Sequence, residues 1–183
     1  SSGRAVGYVS VVDNATGDGL LSPFHTVPAG ETDLILDGVA RADGANGTRW
    51  TTGLRLFNGG GSPALVSIDA LGVSPSPEKW RVERTVAPSS VVALDDISAV
   101  FGASVASAGA LCVRSSGSVL AMAATTTPDP AGGPGRFGVT QSAVLHRGGM
   151  AGAGRNVTLA GVAVTTRVRT NRAFLADATG ARA

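Results

Sequence analysis

Six residues of this chain carry the spacing of a phosphate cradle. Gly133-Pro134-Gly135-Arg136-Phe137-Gly138 fits Gly-x-Gly-x-x-Gly. In a dinucleotide fold such glycines bring backbone N–H groups and a helix N-terminus to a pyrophosphate. That chemistry needs a strand before the pattern and a helix after it, whereas here a proline sits inside it and no helical period follows. The residues therefore read as a turn. A second cluster, Asp13-Asn14-Ala15-Thr16-Gly17-Asp18, sets oxygen-bearing side chains around a turn, as a hard cation such as Ca²⁺ requires. It lacks the EF-hand order and its bidentate glutamate, so an Asx-type turn that satisfies its own backbone is the better reading. Asp95-Asp96 stand at the head of a predicted helix, where they serve the helix dipole. His25 and His146 are the two histidines, both beside predicted strand ends, and no Gly-x-Ser-x-Gly elbow accompanies them. Cys112, the single cysteine, rules out an intramolecular disulfide and a zinc site built on cysteines; within Leu111-Cys112-Val113 it reads as a small core residue. No catalytic residue, cofactor or metal is expected, and the chain is not expected to be an enzyme. Asn14, Asn46 and Asn156 each open an Asn-x-Thr triplet in or beside a predicted turn, and are candidate glycosylation sites.

The composition points the same way. The chain has 183 residues, 43% of them hydrophobic, enough for a sizeable core. Its 26 Gly and 9 Pro, set between short apolar runs, favour many turns and short strands. A formal net charge of +2, with scattered basic residues, lacks the footprint of a nucleic-acid partner. Lys79 is the one lysine among 15 basic residues, which reflects coding bias more than function. No apolar run approaches the ~18 residues of a membrane helix, so membrane insertion is not expected. Ser1-Ser2-Gly3-Arg4 is not followed by the apolar stretch of a signal peptide.

The elements that must position these residues are strands. Ala5 to Val12 is β-branched and apolar and runs into the turn formers Asp13 to Gly19. Leu34-Ile35-Leu36 predicts a strand, followed by Gly38-Val39-Ala40, a polar loop Arg41 to Thr48, and Arg49-Trp50-Thr51-Thr52-Gly53-Leu54-Arg55-Leu56-Phe57-Asn58. Trp50, Thr52, Leu54 and Leu56 fall on one side of that last strand. Alternation continues in Ala64, Val66 and Ile68 and in Trp80, Val82, Arg84 and Val86. Leu94 to Gly102 reads as one short helix, capped by Ser89 or Ser90, that plugs one end of a sandwich. Further strands are expected at Ala110 to Arg114, Val119 to Thr126, Arg136 to Val144, Asn156 to Val164 and Val168 to Ala176, with a turn over Pro128 to Gly135 and a glycine-rich linker near Gly148 to Gly154.

Part of this text is written twice. Ser1-Ser2-Gly3 and its strand match Ser115-Ser116-Gly117 and its strand at an offset of 114. Gly38-Val39-Ala40 matches Gly161-Val162-Ala163 at 123, and Trp50 to Asn58 matches Val168 to Ala176 at 118. The order is kept and the gaps fall in loops, which describes about 1.6 copies of a unit of about 120 residues. The expected division is 1–30, closing strand and turn of a preceding unit; 31–147, a complete sandwich; 148–155, a linker; 156–183, opening strands of a following unit.

Arg49-Trp50-Thr51-Thr52-Gly53-Leu54-Arg55-Leu56-Phe57-Asn58 and Val168-Arg169-Thr170-Asn171 resemble the opening strand, Trp/Phe-Arg-Thr-Asp/Asn-Leu-x-Leu-x-Asn, of Ig-like β-sandwich repeats in large secreted and surface proteins of bacteria. Tyr8 to Asn14 with Gly17-Asp18 is similar to their closing strand and turn. Gly53 stands where that pattern has an acid or amide, and Arg172 and Ala176 also depart from it. The resemblance implies an all-β fold, an Ig-like antiparallel sandwich with one short helix and flanking strands. It also implies an extracellular or cell-surface location and a structural or binding role. The expected function is a subunit of a surface fibre or array, a homopolymer assembled by strand exchange through Tyr8, Val9, Val11, Val168, Phe174 and Leu175. The alternative is an adhesive module binding a glycan or cell-surface protein through end loops such as Arg41 to Thr48 and Pro128 to Gly135.

Overall fold

The computed structural model describes residues 7–23, 25–71, 81–102 and 107–146. The expected strands after residue 147, the linker, Trp80, Asn156, Val168, Phe174 and Leu175 lie outside the described residues. Eleven strands and one short helix are described, and all the pairings are antiparallel. The fold is an all-β sandwich.

Two long strands organise it. β3 (Thr32–Asp43) buries Leu34 and Leu36, then Val39, with Asp37 and Gly38 exposed between them. This is a bulge, marked by a register shift against its neighbour between Leu36 and Val39. Gly38 holds φ +74°, open to glycine at little cost. The bend lets β3 pair with β8 (Ser107–Ser115) along its length, while its last residues, Arg41 to Asp43, pair with Thr51 to Arg49 of β4 (Arg49–Asn58). The loop expected at Arg41 is therefore shorter, because its first three residues are still in the ladder; Ala45–Gly47 makes a single 3-10 turn.

One layer is β11 (Val144–Leu145), β3, β8, β5 (Ala64–Leu71) and β6 (Arg81–Val86); the other is β10 (Arg136–Ser142), β9 (Val119–Pro128), β4 and β7 (Ser90–Leu94). Leu34, Leu36, Val66, Ile68, Val86, Leu111 and Val113 from the first meet Leu54, Leu56, Leu94, Val119, Ala121 and Ala123 from the second in one core. The helix α1 (Ile97–Val100) contributes Ile97 to it. Its N-cap is Asp96, whose carboxylate accepts from Ser98 and Ala99 N–H, and not Ser89 or Ser90. Ser90 opens β7 instead, because that segment pairs with β4.

Apart from this sheet stands a hairpin, β1 (Tyr8–Val12) with β2 (Gly19–Pro23), in register Val12 opposite Gly19. The second strand was hidden in what reads as a short connecting segment. A two-stranded ribbon has too little face to stand alone, and this one rests against the edge strand β10.

β4 carries an inward row of Thr52, Leu54, Leu56 and Asn58, each 0% exposed. Asn58 Nδ2 donates to the carbonyls of Ser62 (2.8 Å) and Val86 (3.0 Å), and its Oδ1 accepts from Gly60 N–H (2.8 Å). Asn58→Ala should cost about 1–3 kcal/mol, since it removes the partner of three backbone groups, of which the Val86 carbonyl is buried. Asn58→Asp keeps the acceptor but loses both donors, and should be no milder. Urea unfolding of both variants checks this; a tolerated aspartate would show that the donors do not matter.

Candidate functional site

Three features of the described surface have chemical content: the hairpin edge, the turn beneath it, and a polar cluster on the outer face of the β3–β8–β5 layer.

In β1 both faces are exposed: Tyr8 71%, Val9 63%, Val11 57% and Val12 54%. β2 adds Leu21 at 60%. Among the described residues β1 has one strand partner, β2, and its other edge has none. An apolar, β-branched edge of this kind is a template for another strand. Val168, Phe174 and Leu175, expected to share in the assembly, lie outside the described residues.

The turn after β1 is an Asx turn. The Asp13 carboxylate accepts from Ala15 N–H (2.9 Å) and Thr16 N–H (3.1 Å) through Oδ1. Its Oδ2 accepts from Arg136 N–H (3.1 Å), while Asp18 accepts from Gly138 N–H (2.7 Å). Thr16 donates to the Arg136 carbonyl (2.8 Å), and Thr140 donates to the Leu21 carbonyl (2.7 Å). The carboxylates thus cover N–H groups on the outer edge of β10. Gly135 is buried where Asp13, Ala15 and Thr16 meet it, and a Cβ on Gly138 would come within 2.8 Å of the Thr125 carbonyl. The Gly-x-Gly-x-x-Gly residues therefore form a loop end and a strand start that admit close packing, and make no phosphate cradle. Asn14 and Asn46 sit exposed in turns, Asn46 at φ +57°.

On the outer face, Asp33 of β3 is the centre. Cys112 of β8 donates its thiol to Asp33 Oδ1 (3.3 Å). His146, just past β11, lies with Nδ1 3.1 Å from Asp33 Oδ2 and donates its backbone N–H to the Asp33 carbonyl (2.9 Å). Arg114 stands 3.9 Å from Asp33 but 2.7 Å from Asp69, which also holds Arg81 at 2.6 Å. Beside the cluster runs a groove of about 650 Å³ lined by Glu31, Leu65, Arg114, Ser116 and Leu145 among others. Two hydroxyls that line it, on Thr32 and Ser67, have no hydrogen-bond partner.

Strand alternation explains the cluster. Leu111 and Val113 point into the core, so Cys112 points out of it, yet it is 1% exposed. Burial, and then the hydrogen bond to Asp33, push its thiol up to about 11, so it stays protonated at neutral pH and is no ready nucleophile. Burial alone would raise Asp33, but the hydrogen bonds from His146 and Cys112 and the charges of His146 and Arg114 outweigh it and hold the carboxyl below its ordinary value. The hydrogen bonds from Thr16 and Ala15 likewise lower Asp13. Sequence reading missed the cluster because its members are far apart in the chain. His25, the other histidine, is exposed between β2 and β3.

Comparison with known proteins returns no match to a protein family, a curated protein or a solved structure.

Two outcomes follow from these ionisations. Native Cys112 should react with a thiol reagent at neutral pH far more slowly than the urea-unfolded chain; equal rates would mean that the thiol is open. Asp13 and Asp33 both titrate lower folded than unfolded, so their stabilisation is complete above the ordinary carboxylate value of 3.8 and is lost as pH falls through their lowered values. Urea midpoints should hold steady above that range and drop below it, and Asp33→Asn should flatten the drop.

Proposed function

We propose that this chain is an Ig-like repeat subunit of an extracellular surface fibre or array, joined to further copies of itself by β-strand exchange. The observation that carries this reading is β1, exposed on both faces and with a strand partner on one edge alone among the described residues.

The internal repeat supports it and suggests the missing partner. Hairpin β1–β2 has the plan of hairpin β9–β10. In each, an aspartate opens the loop and accepts from the N–H two residues on, Asp13 from Ala15 and Asp129 from Ala131, both at 2.9 Å. In each, that aspartate's N–H closes the loop, onto the Asp18 carbonyl at 2.8 Å or the Gly135 carbonyl at 3.0 Å. The strand β9 has two neighbours, β10 and β4. β1 has the counterpart of β10, and the sequence counterpart of β4 is Val168 to Ala176. In the complete sandwich Thr52 lies opposite Thr125. Carried over by the offset of 118 for β4 and by superposing the turn aspartates Asp13 and Asp129, an offset of 116, for the hairpin, that pair becomes Thr170 of one subunit opposite Val9 of the next. Pairing there would bury Val9 and Val11, which align with the inward residues of β9. A head-to-tail contact of this kind propagates without closing.

The test mixes two single-cysteine proteins, Val9→Cys and Thr170→Cys, both in a Cys112→Ala background, under oxidising conditions. Disulfide-linked heterodimers, with fibres or arrays of the wild type in electron micrographs, are expected. Val9→Lys with Val11→Lys should leave a folded monomer that does not assemble, because these side chains are exposed in the single chain and an edge charge opposes pairing. A wild type that stays monomeric at every concentration, or a Val9→Cys/Thr170→Cys double variant that closes only on itself, overturns the reading.

A further inference from the structure

Asp33, Cys112 and His146 reach one point from three separate stretches of chain: the start of β3, the middle of β8 and the turn after β11. We infer that these residues form a site for a thiophilic divalent cation, with Zn²⁺ the ion that fits. The site stands independently of strand exchange.

The donor set is one sulfur, one imidazole nitrogen and one carboxylate oxygen, the mixture that a borderline-soft ion takes and that Mg²⁺ and Ca²⁺ do not. The ligand atoms already lie within 4.8 Å of one another. Zinc's bond lengths in a tetrahedron set ligand atoms roughly 3.3–3.6 Å apart. The Cys112 Sγ to Asp33 Oδ1 distance is 3.3 Å and the His146 Nδ1 to Asp33 Oδ2 distance is 3.1 Å. A small rotation of the carboxylate brings one oxygen to the ion. Side-chain exposures of 30% at His146 and 40% at Asp33 leave the fourth position open to water or to a ligand in the adjoining groove.

The charges also balance. Coordination replaces the thiol proton, which leaves to solvent, so a thiolate and a carboxylate face a doubly charged cation. The neighbouring cation, Arg114, is turned to Asp69 at 2.7 Å, and Arg81 is bound to the same carboxylate. Glu31, which lines the same groove, adds negative charge nearby. With the ion in place, the His146 turn would be fastened to the sheet by metal bonds in addition to the hydrogen bonds seen here.

Untagged full-length protein, treated with a chelator and then dialysed, is titrated with Co²⁺ and then with Zn²⁺. Expected are a thiolate-to-cobalt charge-transfer band in the near ultraviolet, its loss on adding Zn²⁺, and a rise in melting temperature with Zn²⁺. Cys112→Ser should abolish the band. His146→Gln, on a part-exposed turn, should fold normally and weaken cobalt binding at least tenfold. The inference is overturned if the wild type shows neither band nor thermal shift, if Cys112→Ser keeps the band, or if His146→Gln binds cobalt as tightly as wild type, since that would leave a cysteine binding the ion adventitiously.

Discussion

Everything in this sandwich depends on β4 joining its two layers. One edge of β4 pairs with β9 from Thr51 to Asn58, but the other is shared, its first residues with β3 and its last with β7. Where a strand changes partner the ladder leaves backbone groups without neighbours, and burying them is costly unless something else bonds them. The inward row of β4 is built for this, with leucines in the middle and polar side chains at the two ends. Thr52 accepts from Ala40 N–H at 2.8 Å and lies 2.8 Å from the Thr125 hydroxyl, stitching the crossing to β3. Asn58 secures the far end, against the loop at Ser62 and the end of β6. Arg49 N–H finds Thr127 Oγ1 at 2.9 Å in the same way. Thr52, Asn58 and Thr127 thus make hydrogen bonds that the sheet itself cannot make.

This explains which parts of the fold are legible in the sequence. Period-two alternation marks β4, β5 and β6, because each has one face on the core. Gly38 stands at the start of a repeated phrase, and its reason is the bend after which the end of β3 pairs with β8 on one edge and β4 on the other. The β2 strand left no such signal, since Gly19-Leu20-Leu21-Ser22-Pro23 has neither alternation nor a core to alternate against. The extent of β3 was underread because Arg41 and Asp43 are polar, and polar residues at the sandwich's end pair as readily as apolar ones when their side chains reach water. The helix was read from its apolar residues and closing glycine. Ser89, Ser90 and Asp96 all suit its N-cap, and only the pairing of β7 with β4 decides among them.

The outer-face cluster shows a different limit. Parity along β8 says that Cys112 points away from Leu111 and Val113, and that much is available from the sequence. What lies opposite it depends on the β3–β8 register, which pairs Asp33 with Arg114 and Ile35 with Cys112, and on β11 laying Leu145 beside Leu34. A slip of two residues in either pairing would preserve every apolar face and dissolve the cluster. Hydrophobic pattern constrains which face a residue takes far more strongly than which neighbour it meets, so the core was readable and the polar site was not.

The same reasoning separates the two kinds of edge this chain displays. β10 is an edge strand whose outward N–H groups at Arg136 and Gly138 are taken by the carboxylates of Asp13 and Asp18, while Thr16 and Thr140 add hydroxyl bonds between the hairpin and the edge. That arrangement satisfies the backbone without continuing the ladder, and it places negative charge where another strand would have to enter. Among the described residues β1 has no equivalent. From Tyr8 to Val12 it contains no charge, no proline and no bulge, the usual means of blunting an edge, and its apolar side chains point outward on both faces. Among the described residues, the hairpin thus closes the edge of β10 with its own turn and leaves the outer edge of its own first strand unpaired. Within the described residues, hairpin β9–β10 has β4 beside its first strand, and hairpin β1–β2 has no strand in the corresponding place.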